Sequence, residues 1–258
     1  MSVRVWTGGE YEHTGESGMV CAVVRTLRAA LGPLADTCHI LCNFDIPGYP
    51  LPKGPAYVSN IDMAVLRRNQ LVILELKNYG GALSCDADGA WYCAGEDGRR
   101  VEIRGGREGR TPFGQMRAYR NQMVALLAAQ APRFLRPERG AAFDFWRYVS
   151  SVVVFPDAAD GAAGDDQMAF GGDTCLWLKA LRLPKLAEAV CQFGGGKGVT
   201  LDDGEMARLA ERVLGLRPAQ MVGDLPMVAA EARVRPGWAA PLRRWVESVF
   251  GAWRTLRA

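Results

Sequence analysis

Histidine is nearly absent from this sequence, with only His13 and His39 among 258 residues. A histidine-rich metal centre or a Ser-His-Asp triad therefore has little to draw on. No apolar run reaches the roughly 18–20 residues that a spanning helix needs. Residues Met1 to Glu10 contain no apolar block of the secretory-signal kind, so the expected location is cytoplasmic. The seven cysteines are odd in number and include no Cys-x-x-Cys pair, which argues against a zinc or redox site. Cys38 and Cys42 lack a second pair of matching spacing and read as buried thiols. Lysine is scarce too, supplying 5 of the 31 basic residues against 26 arginines. Arginine suits bidentate phosphate contacts, although coding bias gives the same skew, and a net charge of +3 names no partner. The run Gly194-Gly195-Gly196-Lys197-Gly198 lacks the earlier glycine and the following Ser or Thr of a phosphate-binding loop, and reads as a plain loop.

What is present suffices for a sizeable core, at 49% apolar and 23% charged residues. Met19, Val20, Val23, Val24, Leu27 and Leu31 recur at helical spacing from Thr14 until Gly32-Pro33 ends the run. A strand is expected over Cys38 to Ile46, then a Pro/Gly-rich loop. Tyr57–Leu66 and Leu71–Asn78 form the clearest hairpin, joined by Arg67-Arg68-Asn69-Gln70. Further strands are expected within Ala82–Ala94, over Ser150–Phe155 and over Leu176–Leu181. Thr111-Pro112 starts a helix running to about Gln130, and more helices are expected over Pro184–Phe193, Glu205–Leu214 and Leu242–Leu256. The stretch Gly95 to Arg110 reads as polar and arginine-rich.

The hairpin carries the chemistry. Glu75 and Lys77 share one face of their strand. A turn of either two residues or four makes Leu66 oppose Leu71, which sets Asp62 across from Glu75. Two carboxylates about 5 Å apart repel, and a divalent cation with a taste for hard oxygen, Mg²⁺ or Mn²⁺, would compensate them. Lys77 is then placed to orient a water or to stabilise developing negative charge. The rival is a surface ion cluster on an exposed hairpin; the very apolar Leu71–Leu76 run argues against it. Glu16 falls on the apolar face of the first helix, where it points to the core or simply answers the helix dipole. Gln115 lies near the start of the later helix, with a solvated helix face as its rival reading.

These residues, in this order, resemble the nuclease-related domain family of the PD-(D/E)xK nuclease superfamily. The matching pieces are Gly15-Glu16, Asn60-Ile61-Asp62, Glu75-Leu76-Lys77-Asn78-Tyr79-Gly80-Gly81, the Pro112 to Gln115 helix start and Val152-Val153-Val154-Phe155-Pro156. The resemblance implies an α/β fold with a central mixed sheet flanked by helices, a restriction-endonuclease-like core. It implies that Asp62, Glu75 and the Leu76 carbonyl bind Mg²⁺ or Mn²⁺, that Lys77 is the catalytic lysine, and that Glu16 and Gln115 complete the site. The implied substrate is nucleic acid, with DNA the expected form, and the implied reaction is phosphodiester hydrolysis in DNA processing or defence against foreign DNA. A module with the same fold that binds nucleic acid without turnover is the alternative. Arg104, Arg107, Arg110, Arg117 and Arg120, with Arg99 and Arg100, could form a phosphate track or a solvated loop. Residues 1–200 are expected to form the nuclease-related unit and 201–258 a helical C-terminal extension. Its last helix, with an apolar stripe from Leu242 to Trp253 among arginines, would pack on the core or bind a membrane surface, a partner or a second copy.

Overall fold

The computed structural model describes residues 3–9, 14–34, 36–47, 58–86, 89–95, 97–105, 111–139, 143–158, 164, 166–193 and 199–227, with the backbone alone for 14–16. Strand β1 (Val3–Thr7) precedes helix α1 (Thr14–Leu31), whose six periodic apolar residues are all buried. Strands β2 (Cys38–Pro47), β3 (Val58–Arg67) and β4 (Gln70–Leu76) run as an antiparallel meander. Arg67 pairs with Gln70, so the β3–β4 turn is the two-residue Arg68-Asn69 form.

Strands β5 (Leu83–Ser84), β6 (Trp91–Ala94) and β7 (Arg100–Ile103) make a separate antiparallel sheet. The polar arginine-rich stretch thus contains a strand that its composition conceals. Only Ile103 of β7 is buried, and the other three residues face solvent. Helix α2 (Pro112–Phe134) starts where expected, with the Thr111 hydroxyl accepting the Gly114 amide at 3.2 Å. A short α3 (Phe145–Tyr148) leads into β8 (Val149–Phe155), which is buried along its whole length.

A 3-10 segment over Gly172–Leu176 delays the next strand, so β9 is Leu178–Arg182. Helices α4 (Leu186–Gln192) and α5 (Asp203–Arg208) follow, the latter continuing as a π-helical turn over Leu209–Val213. The strands β10 (Arg217–Pro218), β11 (Gln220–Val222) and β12 (Leu225–Met227) end the described chain. The described part beyond residue 200 is thus part helix and part strand. The Leu242–Leu256 helix expected from sequence lies outside the described residues.

The central mixed sheet has seven strands in the order β10-β1-β2-β3-β4-β8-β9. Strands β4, β8 and β9 run parallel, as do β1 and β2. Helices cover both faces. Val20, Val24 and Leu27 of α1 pack with Val72 and Leu74 on one side, and Met116, Met123 and Leu127 of α2 pack with Leu71 and Ile73 on the other. Coverage on both faces explains the continuous apolar stretches Leu71–Leu74 in β4 and Val152–Phe155 in β8. Among the described residues no helix is long and apolar enough to cross a membrane.

Candidate active site

The two cores fix which way β4 presents its last residues. Leu71 and Ile73 point to the α2 side, and Glu75 continues that face with 5% of its surface exposed. Gln115, near the start of α2, is equally buried, which disposes of the solvated-face reading. Its Nε2 donates to Glu75 Oε1 at 2.9 Å and to the Tyr119 hydroxyl, one turn on, at 2.8 Å. The amide orientation follows from chemistry, because an ionised carboxylate can only accept. Lys77 lies one pleat further along, its Nζ 2.7 Å from the same Glu75 oxygen, and is itself largely covered. An ammonium and an amide therefore hold one carboxylate in a sheltered corner, where the ammonium balances its charge and the amide supplies a further hydrogen bond.

Asp62 reaches this corner through a break in the sheet. The β3–β4 ladder extends to Met63↔Leu74 and stops one residue short of the Asp62 and Glu75 level. The Asp62 carboxylate instead accepts the Leu76 amide at 2.8 Å, and so lies against the peptide that joins Glu75 to Leu76. The pairing with β2 is irregular at the same level, passing from Cys42↔Met63 to Phe44↔Ile61. Asn43, between them, has φ +43°, a left-handed value that Asn tolerates better than most residues. Met63 packs on the α1 side and Ile61 on the α2 side, so the strand alters its facing across Asp62. Such irregularities re-aim side chains near functional sites.

The loop after Lys77 is held by a pair that lies far along the chain. Arg182, 5% exposed at the end of β9, donates to the carbonyls of Tyr79, Gly80 and Gly81, the last at 2.7 Å. The same guanidinium forks onto both oxygens of Asp166 at 2.8 Å, and Asp166 Oδ1 also accepts the Leu83 amide. Gly81 is required by close approach, since a Cβ there would fall 1.8 Å from the Ala94 carbonyl oxygen. Sequence reading missed both Arg182 and Asp166. The only available signal was an arginine closing the apolar Leu178–Leu181 run; Asp166 sits among small residues with nothing local to mark it.

Glu16 lies in the first turns of α1, but its side chain is outside the described residues, as are Arg107 and Arg110. Arg104 is exposed and pairs with Glu102 at 3.2 Å. Arg117 is exposed and stands over the Phe113 ring. Arg120 is not at the Glu75 corner. Its Nε donates to the Val149 carbonyl at 2.9 Å, and Val149 pairs with Leu71 rather than Glu75, about 13 Å back along the strands. Burial lowers the Arg120 guanidinium from its usual value, partly offset by Asp144.

The donor set suits a hard divalent cation. Asp62 and Glu75 offer carboxylates beside the Leu76 peptide. Gln115 Oε1 is buried with no hydrogen-bond partner while its Nε2 is fully occupied. A buried oxygen without a donor is costly and is the type of atom that Mg²⁺ or Mn²⁺ accepts. Among the described residues no group of three or more His, Cys, Asp or Glu side chains converges to hold a metal ion.

Compared with known proteins, residues 14–156 match the model of the nuclease-related domain, a span of more than half the chain. No curated protein and no solved structure matches significantly.

Proposed function

The chain belongs to the nuclease-related domain family, and from that premise we propose that it is a metal-dependent nuclease that hydrolyses phosphodiester bonds, with DNA as its substrate. The observation that carries this reading is the sheltered Glu75 carboxylate held by Lys77 and Gln115, with Asp62 against the next peptide bond. Asp62, Glu75 and the Leu76 carbonyl would hold Mg²⁺ or Mn²⁺. The bound ion supplies Lewis-acid charge at the phosphate and a more acidic water.

The chain's own residues do the rest. Gln115 fixes the rotation of the Glu75 carboxylate. Lys77, paired to Glu75 before substrate arrives, can turn its ammonium toward the attacking water and the phosphate oxygens, where negative charge grows. The Arg182 clamp keeps the turn after Lys77 at one height above the sheet.

The test uses the full chain with single-stranded and duplex DNA and RNA, with Mg²⁺ or Mn²⁺ and then with EDTA. Expected are cleavage that EDTA stops and a Lys77→Ala protein that folds but does not cleave. Wild-type protein that cleaves none of these with any divalent ion would overturn the reading and leave a binding or scaffold module.

A further inference from the structure

At the opposite end of β8 from Glu75 the surface opens into a cavity of about 710 Å³, within the range of small-ligand and base-binding sites. Its walls include Trp146, Arg147, Leu176, Trp177 and Lys179. Trp146 is 49% exposed and Leu176 72%, so two of the five exposed large apolar side chains among the described residues rim this one opening. Exposed aromatic surface beside exposed cations is a mark of a recognition site.

The cavity does not stand alone, because a file of rings and guanidinium groups connects it to the start of α2. Arg117 stands 5.4 Å above the Phe113 ring, and Phe113 lies 5.9 Å from Trp177. Arg120 sits 5.0 Å from the centroids of both Trp177 and Trp146. Phe113 and Gln115 share the first turn of α2 but, two residues apart, project about 200° from each other around the helix. The file therefore starts at the same end of α2 as the Glu75 corner, on another face, and ends at the cavity mouth. The cavity lining carries three cations, Arg120, Arg147 and Lys179, against two carboxylates. One of these, Asp144, accepts the Trp146 amide and pairs with Arg147, which leaves Arg120 and Lys179 against Asp173.

We infer that this file and its cavity bind a single-stranded nucleic-acid segment, with an unstacked base against Trp146 and the backbone phosphates over Arg117 and Arg147. Alternating aromatic faces and cations fit a strand whose bases are exposed. A duplex keeps its bases stacked and could use only the cations. The span from the Glu75 level to Val149, about 13 Å, is a few nucleotides of strand, so the same molecule could reach both places. The inference thus deepens the nuclease reading by naming a single-stranded flank as part of the substrate.

Binding of fluorescein-labelled oligothymidylate, oligouridylate and a DNA duplex is measured by anisotropy on the full chain in EDTA, so that cleavage is not the readout. Trp146→Ala should weaken single-strand binding at least fivefold, a single base–aromatic stack being worth that or more. Trp146→Phe should restore most of it, and duplex binding should change little. Arg147→Gln, at an exposed position that pairs with Asp144 at 3.7 Å, should lessen the salt dependence of single-strand binding by about 0.7 in the log–log slope. Relative affinity for the two oligomers reports the preferred sugar. The inference falls if wild-type protein binds no single strand, if Trp146→Ala and Arg147→Gln bind like wild type, or if duplex and single strand lose equally. A chain that cleaves nothing yet shows the Trp146 effect loses the nuclease reading and keeps this one. A chain that cleaves normally while Trp146→Ala binds unchanged does the reverse.

Discussion

Arg182 and Asp166 form a buried fork-to-fork ion pair, both contacts at 2.8 Å, with the guanidinium also capping the carbonyls of residues 79–81. Neither residue lies within the span that matches the family model. The segment after residue 156 therefore helps to hold the turn that leaves the candidate site.

Breaking this pair should cost stability heavily. Arg182→Ala or Asp166→Asn is expected to lose about 3–5 kcal/mol, because the remaining partner stays buried and unpaired. Arg182→Lys keeps the charge but cannot fork, and should fall between. Urea denaturation checks this; a loss under about 1 kcal/mol would mean that water already compensates the pair.

Lys77→Ala should keep the fold while activity falls at least about 10²-fold, the scale for removing one group that stabilises developing charge. Gln115→Ala should cost less, about 10–100-fold, since Gln115 orients Glu75. Single-turnover cleavage rates at saturating metal separate the two. Equal, small effects would mean that the corner is structural.

Two adjacent glycines should respond differently. Gly81→Ala drives a Cβ into the Ala94 carbonyl and should destabilise by at least about 1–3 kcal/mol. At Gly80 nothing lies within 4 Å of the added atom, so Gly80→Ala should change stability by less than about 1 kcal/mol. Thermal melts of the two variants side by side decide it.

His39 gives a pH dependence. Burial, and secondarily Arg4, lowers its pKa from 6.5 to about 4, and neither ring nitrogen has a partner. The folded state therefore holds a neutral ring while the unfolded chain protonates below its ordinary value. The contribution of His39 is fully present above pH 6.5 and is lost progressively as pH falls toward 4, up to about 3 kcal/mol. Urea midpoints between pH 7 and 4 should drop less in His39→Phe than in wild type. Parallel curves would refute the assignment.

Much of the frame was legible locally. The period of α1, the Thr111-Pro112 start of α2, and the β3–β4 and β8 runs all stand where their patterns put them, because each buries one stripe or a whole strand against neighbours. Strand β1 and strand β7 were not legible. The first is five residues with two buried, and the second has three of its four residues in solvent. Strand β7 is the edge of its three-stranded sheet, and β1 is flanked on one side only by the two-residue edge strand β10, so neither leaves much hydrophobic pattern to read.

Of the candidate site, the chain itself determined that Glu75 and Lys77 share a face and that a turn at Arg68-Asn69 brings Asp62 back toward them. Those relations follow from the two-residue period of a strand and from pairing register, which are local. The tertiary structure alone decided that Gln115 closes over Glu75, that Asp62 leaves the ladder to take the Leu76 amide, and that Arg182 grips the turn from over a hundred residues away. Those depend on how α2 and β9 pack against the sheet, and packing sums many weak contacts that no short stretch of sequence encodes.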